Sequence, residues 1–314
     1  MKGSVPRVAV AALILALASA GIVVGVRGSS SRAGASTASP SASPAIVQIH
    51  SLHGASLVPA LSGLRPLFIL ALGSDARPGE AVQSQRSDSI HLIGIDPAHD
   101  RATILGFPRD SMVSIPGHGT GKINTALFFG GPALLAQTVE NLTGIRIDFW
   151  MLTSFPGLVN MVNGIGGLRV YVPIPLHDSF SGAFFSRGYH QMNGGQALAF
   201  ARDRHDFPTG DLARSANQGA IMKTALGKLH TVFEQDPSVL LKWIAVGWRN
   251  IVTDLSVETM VSLAFAATQV PARNVNNLIV PTHGGSVGGA SVEFIDASAQ
   301  SIFADMRDNG IVGS

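Results

Sequence analysis

Aspartate and arginine side chains occur together in three short strings of a sequence in which charged residues make up only 13% of the chain. These side chains are Asp75 with Arg77, Asp88 with Arg86, and Asp110 with Arg109. Each string adjoins the end of a predicted strand, and open α/β sheets bind ligands at the carboxyl ends of their strands. Exposed ion pairs are an alternative reading, but the recurrence at three strand ends favours a binding site.

Two of these carboxylates, Asp75 and Asp88, flank a single loop, so the adjoining strand ends can bring them together. Paired carboxylates that face a phosphate-bearing substrate are typical of Mg²⁺ sites, and Mn²⁺ accepts the same oxygen ligands. Turn formation and capping are the alternative role for such aspartates. The sequence therefore suggests a Mg²⁺ (or Mn²⁺) site with Asp75 and Asp88 as ligands.

A second group of polar side chains follows later in the chain and consists of Arg202, Arg204, Arg214 and Gln218. Arg202 and Arg204 are two residues apart, so they share a face only if the segment is extended. Arg214 and Gln218 are four apart at a predicted helix start and share a face of that helix. Arginines and the free N–H groups of a helix start both suit phosphate oxygens, although a solvated charged loop is the alternative.

Several other chemistries are excluded by composition. The chain has no cysteine, which removes disulfides, thiolate catalysis and cysteine metal sites. Its ten histidines show no metal-ligand spacing, and no P-loop or Gly-x-Ser-x-Gly elbow is present. The net charge of +2, without a basic stripe, argues against nucleic acid as a partner.

The elements that must position these residues alternate between strands and helices. Apolar runs predict strands over 66–73, 89–96, 102–107, 147–155, 168–172 and 277–280, the last being the final strand. Helical periodicity predicts helices over 132–142, 212–229, 239–252 and 257–270, the last capped by Ser256. This alternation predicts an α/β fold with a mixed central sheet and helices on both faces.

The amino-terminal part differs from the rest in composition. Residues 8–26 form an uncharged apolar run of 19 residues, just long enough to cross a bilayer as a helix. We therefore expect a membrane anchor over 1–27, a Ser/Ala/Pro linker over 28–45 and an extracytoplasmic domain over 46–314. A cleaved signal peptide, with Ala18-Ser19-Ala20 as its site, is the alternative.

Taken together, the strings resemble the LytR-CpsA-Psr family of cell-envelope proteins across a core of about 66–230. The matching stretches are LGSDAR at 72–77, RSDS at 86–89, FPRDS at 107–111, GKIN at 121–124, GGPALLAQTVENLTGIRIDFW at 130–150, GIGGLRVYVP at 164–173, MNGGQALAFARDRH at 192–205 and GDLARSANQ at 210–218.

The resemblance implies an α/β/α sandwich with an apolar pocket, held at the cell membrane by a single span. It implies a phosphotransferase that moves a glycopolymer from a polyprenyl-pyrophosphate carrier to peptidoglycan. Polyprenyl phosphate would be the released product. A polyprenyl-pyrophosphate hydrolase, and a non-catalytic protein that binds anionic lipid or glycan, remain the alternatives. The identity of the polymer stays open.

The resemblance also implies roles for individual residues. Asp75 and Asp88 would hold magnesium on the pyrophosphate. Its oxygens would be bound by Arg109, Arg202, Arg204, Arg214 and Gln218. Arg77 and Asp110 are plausible neighbours of the pyrophosphate, and either Asp75 or Asp110 would be the general base, with Arg109 completing the catalytic group.

The sequence departs from the family pattern at a few positions. Asn163 and Asn217 stand where an Asp and an Arg are common, and Phe107 replaces a smaller aliphatic side chain. Asn217 would remove one phosphate contact and so alter substrate preference. Residues 231–314 match less clearly and are expected to be helices that close the domain.

Overall fold

The computed structural model of the chain describes residues 65–77 and 80–313. The anchor and linker expected over residues 1–45 lie outside the described residues. Within the described ranges, no helix combines the length and the apolar character needed to cross a bilayer.

The chain alternates between strands and helices, as expected. The strands are β1 Leu67–Ser74, β2 Ser87–Asp96, β3 Arg101–Gly106, β4 Met112–Ile115, β5 Gly119–Lys122, β6 Phe149–Ser154, β7 Leu168–Val172, β8 Leu176–Asp178, β9 Ala183–Phe185, β10 Gly188–Met192, β11 Ile251–Thr253, β12 Val275–Ile279, β13 Thr282–Val287 and β14 Ala290–Ile295. The helices are α1 Thr125–Thr143, α2 Phe155–Gly164, α3 Gly194–Arg202, α4 Asp211–Gln235, α5 Val239–Trp248, α6 Val257–Thr268 and α7 Ala299–Asn309, and short 3₁₀ turns form at Val82–Ser84 and Ala272–Asn274.

Six strands form the central sheet in the order β11-β6-β1-β2-β3-β12. The β1–β6 and β3–β12 pairs are parallel and the other pairs antiparallel, so the sheet is mixed, as predicted. Ser74 at the end of β1 lies opposite both Ser154 at the end of β6 and Ser87 at the start of β2. The chain segments that follow β1 and precede β2 therefore meet at one end of the central strands.

Helices cover both faces of this sheet because successive β1 side chains point in opposite directions. Phe68, Leu70 and Leu72 pack in one cluster with residues of α1 and α7. Leu67 and Ile69 pack on the opposite face with residues of α4, α5 and α6. A third cluster joins α2, α3 and α4 to the β7–β10 hairpin and to β8 and β9.

Three predicted helices differ from the sequence expectation in their extent, and the one predicted over 212–229 continues to Gln235. The helix predicted over 132–142 is confirmed as the second part of α1, and a shorter helical segment from Thr125 precedes it; the two are separated by a kink at Gly130 and Gly131, where the backbone leaves helical geometry before Pro132. The helix predicted over 239–252 ends at Trp248, because Ile251–Thr253 instead pairs with β6 at the sheet edge. Ser256 caps α6 by accepting a hydrogen bond from the Thr259 N–H, as expected.

The carboxyl-terminal region contains more β-structure than was expected. The strand predicted over 277–280 is not the last, because β13 and β14 form a hairpin after it. Gly288 and Gly289 both have positive φ angles, which suits a two-residue hairpin turn. The side chains of β13 are mostly exposed, so the apolar alternation that marks a buried strand is missing there.

Candidate active site

The strand ends place the first three strings beside one another. Asp75 follows β1 directly, and its N–H donates to the Arg86 carbonyl at 3.2 Å. Arg109, which follows β3, donates to the Asp88 carboxylate at 2.5 Å. Asp75, Asp88 and Arg109 therefore lie together at the same end of the central strands, as the spacing of the strings suggested.

A residue that sequence reasoning did not single out, Asp211, lies at the centre of the arginines. One of its carboxylate oxygens is 3.4 Å from Arg214 and 3.7 Å from Arg204, and the other is 3.5 Å from Arg109. Asp211 is the first residue of α4, where an acidic side chain is commonplace because it complements the helix dipole. The arrangement joins arginines from three segments, following β3, following α3 and within α4. We call Asp88, Arg109, Arg204, Asp211 and Arg214 the arginine cluster.

Polar atoms remain unsatisfied in and beside this cluster. Asp75 Oδ1, Arg109 Nε and Asp211 Oδ1 are buried and lack hydrogen-bond partners among the described residues. Buried polar atoms without partners are rare in proteins, because leaving one unpaired costs about 1–3 kcal/mol. The site therefore has an unused N–H donor on Arg109, which suits an anion, and unused carboxylate oxygens on Asp75 and Asp211, which suit a cation.

The pKa values of the cluster reflect burial and crowding of charge. Burial raises the pKa of the Asp75 carboxyl, and the neighbouring Asp88 carboxylate raises it further. Burial lowers the pKa of Arg214, the most enclosed of the three guanidinium groups. Burial would also lower the pKa of Arg109, but the charge and hydrogen bond of Asp88 outweigh it and raise that pKa.

Asp75 and Asp88 have the chemistry of a divalent-cation site. The two carboxylates are close enough for the charge of Asp88 to raise the pKa of Asp75. Asp75 Oδ1 is buried and has no hydrogen-bond partner among the described residues. No cluster of three or more His, Asp or Glu side chains suited to a metal occurs in residues 65–77 and 80–313. Mg²⁺ is commonly bound through one or two carboxylates together with water and substrate phosphate, so two carboxylates fit that ion.

Three of the predicted site residues lie beside the cluster rather than in it. Arg202 ends α3 and stacks over the Phe155 ring at 5.0 Å, so it does not share a partner with Arg204. Asp110 forms an ion pair with Lys122 at 3.2 Å. Arg77 is exposed, and its backbone N–H donates to Glu80.

The remaining predicted residues have structural contacts. Gln218 donates to the Asp88 carbonyl at 3.1 Å and so fixes β2 against α4. Asn217 is buried and donates to the Phe200 carbonyl at 3.2 Å, which ties α3 to α4. Asn163 accepts a hydrogen bond from the Gly194 N–H at 2.8 Å at the start of α3. In this chain the two asparagine departures thus have roles in helix packing.

The loop that carries Arg204 is fastened to the β8–β9 hairpin. His205 Nδ1 lies 3.0 Å from the Asp178 carboxylate, whose side chain is 1% exposed. The His177 N–H also donates to Asp206 at 2.6 Å. Burial raises the pKa of Asp178, but hydrogen bonds from His205 and the Phe180 N–H outweigh it and lower that pKa to about 2.

A buried histidine supports the cluster from within the sheet. His91 on β2 is fully enclosed, and its Nε2–H donates to the Ser215 carbonyl of α4 at 3.1 Å. Its Nδ1 accepts from the Ser89 hydroxyl at 3.1 Å. Burial lowers the pKa of His91 to about 4, so the ring is neutral at pH 7 and holds the start of α4 against β2.

The sequence of the chain was compared with those of known proteins, and it resembles proteins of the cell wall. The chain is 31% identical over 205 residues to the polyisoprenyl-teichoic acid–peptidoglycan teichoic acid transferase TagU of Enterococcus faecalis, a match that covers 65% of this chain and 66% of that protein. It is 34% identical over 188 residues to the probable cell wall biosynthesis protein LcpB of Corynebacterium glutamicum, covering 54% of this chain and 45% of LcpB. These matches thus span about half to two thirds of the length of the curated relatives.

The fold is also that of a solved structure. The crystal structure of Bacillus subtilis TagV superposes with a TM-score of 0.65 at 25% sequence identity, covering 77% of this chain and 95% of TagV. The model of the LytR_cpsA_psr family matches residues 35–307. The chain therefore belongs to the LytR-CpsA-Psr family.

Proposed function

We propose that this chain transfers a cell-wall glycopolymer from a polyprenyl-pyrophosphate carrier to a hydroxyl of peptidoglycan. In this reaction the acceptor oxygen forms a bond to the phosphorus next to the sugar. The bond from that phosphorus to the bridging oxygen of the pyrophosphate breaks, polyprenyl phosphate leaves with the bonding electron pair, and the acceptor hydroxyl gives up its proton. The product carries the polymer through a phosphodiester.

The observation that carries this proposal is the arginine cluster. Arg109, Arg204 and Arg214 surround one carboxylate at 3.4–3.7 Å, which is longer than the usual hydrogen-bond range, so their donors are not used up by Asp211. Transfer of a phosphoryl group depends mainly on positioning and on neutralising the charge of its oxygens. Guanidinium groups suit that task because they make paired hydrogen bonds to phosphate oxygens.

Within this proposal, Arg109, Arg204 and Arg214 bind the pyrophosphate oxygens and orient the reacting phosphorus. Asp75 and Asp88 hold Mg²⁺ or Mn²⁺, which would supply further neutralisation of the pyrophosphate charge when bound. The names of the relatives that act on polyisoprenyl-linked teichoic acid and peptidoglycan support the same donor and acceptor classes.

Asp75 is the stronger candidate for the proton acceptor. Its two carboxylate oxygens can divide the tasks, one toward the metal and the other toward the acceptor hydroxyl, and Oδ1 is buried without a partner among the described residues. Asp110, the other candidate, is engaged by Lys122 at 3.2 Å. This contact occupies the Asp110 carboxylate, whereas Asp75 Oδ1 has no partner among the described residues.

The apolar tail of the donor has a candidate place beside the cluster. A cleft opens between β6, β11 and the start of α2, and its lining combines the apolar Val82, Leu152, Pro156, Ile251 and Val252 with polar residues that include Asn160, Arg249 and Asn250. It adjoins the carboxyl end of β6, which pairs with the end of β1 just before Asp75. The membrane span expected over residues 8–26 would keep the domain near a lipid-linked donor, outside the cytoplasm.

The decisive experiment compares donor turnover with and without an acceptor. The full chain in detergent, with Mg²⁺, is incubated with a lipid-pyrophosphate sugar donor, and a peptidoglycan oligomer is added to one of two samples. We expect a covalent adduct between sugar phosphate and peptidoglycan. Free sugar phosphate at the same rate in both samples would instead identify a hydrolase. Donor binding without any turnover would identify a binding protein.

A further inference from the structure

The chain contains two tyrosines in all, and they lie opposite each other on the exposed face of one hairpin. Tyr171 on β7 is 43% exposed and Tyr189 on β10 is 62% exposed. Their ring centroids are 5.1 Å apart in an edge-to-face arrangement. Tyrosine rings offer rigid contact area at low entropic cost, together with a polar hydroxyl, which is why they are enriched in binding surfaces.

Cations surround this tyrosine pair. The Arg169 guanidinium lies 4.3 Å from the centroid of the Tyr189 ring. The Arg187 Nε donates to the Tyr171 hydroxyl at 3.4 Å. Between Leu168 and Met192 the sequence has a single carboxylate, Asp178, which is buried and bonded to His205. The exposed face is therefore aromatic and positively charged, with no acidic side chain of its own segment to compete for the arginines.

Two further exposed aromatic side chains lie between the tyrosines in the sequence, and one of them contacts the loop that carries Arg204. Phe180 and Phe184, on the β8–β9 hairpin between the two tyrosines, are 81% and 62% exposed. The Phe180 ring centroid lies 4.8 Å from that of His205, next to Arg204 of the cluster. Four of the seven strongly exposed Phe, Tyr and Trp side chains in the described parts of the chain thus fall within nineteen residues, 171–189.

A purely structural role accounts for part of this arrangement only. A cross-strand aromatic pair stabilises a hairpin, which explains why the tyrosines face each other. That role requires neither the flanking arginines nor the exposure of Phe180 and Phe184, which increases the apolar surface in contact with water. The combination of paired aromatic rings, exposed arginines and exposed phenylalanines near the loop that carries Arg204 points to a ligand.

We propose that Arg169, Tyr171, Arg187 and Tyr189, with Phe180 and Phe184, form a platform for the glycan strand of the peptidoglycan acceptor. The C–H faces of the sugar rings would pack on the aromatic rings, and the carboxylates of the stem peptides would meet the two arginines. This inference rests on the proposed transferase function. It concerns the acceptor, because the donor is held at its pyrophosphate, whereas a polymeric acceptor extends beyond the reacting sugar.

The test measures binding of the full chain in detergent to purified sacculi that have been stripped of attached polymers. The Tyr171→Ala/Tyr189→Ala variant should raise the Kd for sacculi roughly tenfold, the loss expected when two aromatic contacts in an interface are truncated. Arg169→Gln/Arg187→Gln should weaken binding at low salt and have little effect at high salt, because exposed charges are screened. Unchanged affinity in both variants would overturn the proposal.

Controls separate this surface from folding and from other partners. Phe128→Ala/Phe129→Ala removes another exposed edge-to-face pair, at 5.7 Å, and should bind sacculi normally. Tyr171→Phe/Tyr189→Phe keeps the rings and should retain affinity within about twofold, since ring contact carries the interaction. Competition by soluble teichoic acid for binding to sacculi would assign the surface to the donor polymer. If the Tyr171→Ala/Tyr189→Ala variant lost binding to anionic vesicles but kept its binding to sacculi, the surface would be assigned to the membrane. Either result would refute the acceptor assignment.

The binding assay uses no donor, so its outcome does not depend on turnover. Transfer with intact acceptor binding in the tyrosine variant would refute the platform and leave the proposed function standing. Binding that depends on the tyrosines, without any transfer by the unmodified chain, would refute the proposed function and leave the platform standing. In a working transferase, the tyrosine variant should raise KM for polymeric peptidoglycan while leaving donor turnover with a disaccharide acceptor unchanged.

Discussion

Replacing Arg109 by alanine removes the residue that connects the carboxylates to the other arginines. Arg109 donates to Asp88 at 2.5 Å and lies 3.5 Å from Asp211. Loss of one preorganised donor to a developing charge typically costs about 2.7–4 kcal/mol of transition-state stabilisation. We therefore expect kcat for donor turnover to fall roughly 100- to 1,000-fold, as measured by release of polyprenyl phosphate.

The stability effect of the same substitution should be much smaller. A hydrogen bond between charged groups contributes about 1.5–3 kcal/mol, and partial solvent exposure of Arg109 reduces this to about 1–2 kcal/mol. Thermal unfolding should therefore shift by roughly 2–8 °C for a domain of this size. The matched control is Arg65→Ala, which breaks an ion pair of similar burial between Arg65 and Asp148 at 3.0 Å, away from the cluster.

The two variants together decide the role of Arg109. Arg65→Ala should lose comparable stability and keep its turnover per folded molecule. Arg109→Ala should keep its fold at the assay temperature and lose turnover. Arg109→Ala with full turnover per folded molecule would contradict the proposed site and assign the residue to folding alone.

Three further predictions concern titratable groups. Addition of Mg²⁺ should raise the Tm of the unmodified chain, and Asp75→Asn should abolish this rise while leaving the metal-free chain at least as stable, because it relieves repulsion with Asp88; an unchanged Mg²⁺ response would argue against a metal at Asp75. The pKa of His91 is about 4 in the folded chain and 6.5 in the unfolded chain, so the unfolded state binds the proton first as the pH falls. The free energy of unfolding should therefore fall by roughly 3 kcal/mol between pH 6.5 and 4. Chemical denaturation of His91→Gln should show a weaker dependence of this free energy on pH, and an equal dependence would rule out His91 as its source. Asp178 has its pKa lowered to about 2, so its contribution is present above about pH 4 and is lost as the pH falls toward 2; at pH 7, Asp178→Asn should speed amide hydrogen exchange in residues 203–207, and unaltered exchange would show that the loop does not depend on this contact.

The sequence was most informative where apolar runs end in polar residues. The strand now described as Leu67–Ser74 is buried on both faces, so its composition marks it clearly and places Asp75 at its end. The same reasoning located Asp88 and Arg109, because the central parts of β2 and β3 are also apolar. Strands whose side chains are exposed, such as β13, give no such signal.

Contacts between residues that lie far apart in the sequence could not be predicted from the local sequence pattern. Asp211 reads as an ordinary acidic residue at a helix start, and nothing in its neighbourhood shows that three arginines converge on it. Arg202 and Arg204 look like a pair in the sequence, but the end of α3 falls between them, and they turn to Phe155 and Asp211 respectively. The pairing of Asp178 with His205 spans 27 residues and depends on how the β8–β9 hairpin packs.

The carboxylate of Asp211 has a consequence for how tightly an anion binds. Because its oxygens lie 3.4–3.7 Å from the three guanidinium groups, it offsets part of their positive charge without occupying their hydrogen-bond donors. Its negative charge also repels a bound anion, so the affinity for anions is lower than it would be at the same arginines without this carboxylate. In the proposed reaction the same repulsion would act on a phosphate-bearing product and would speed its release.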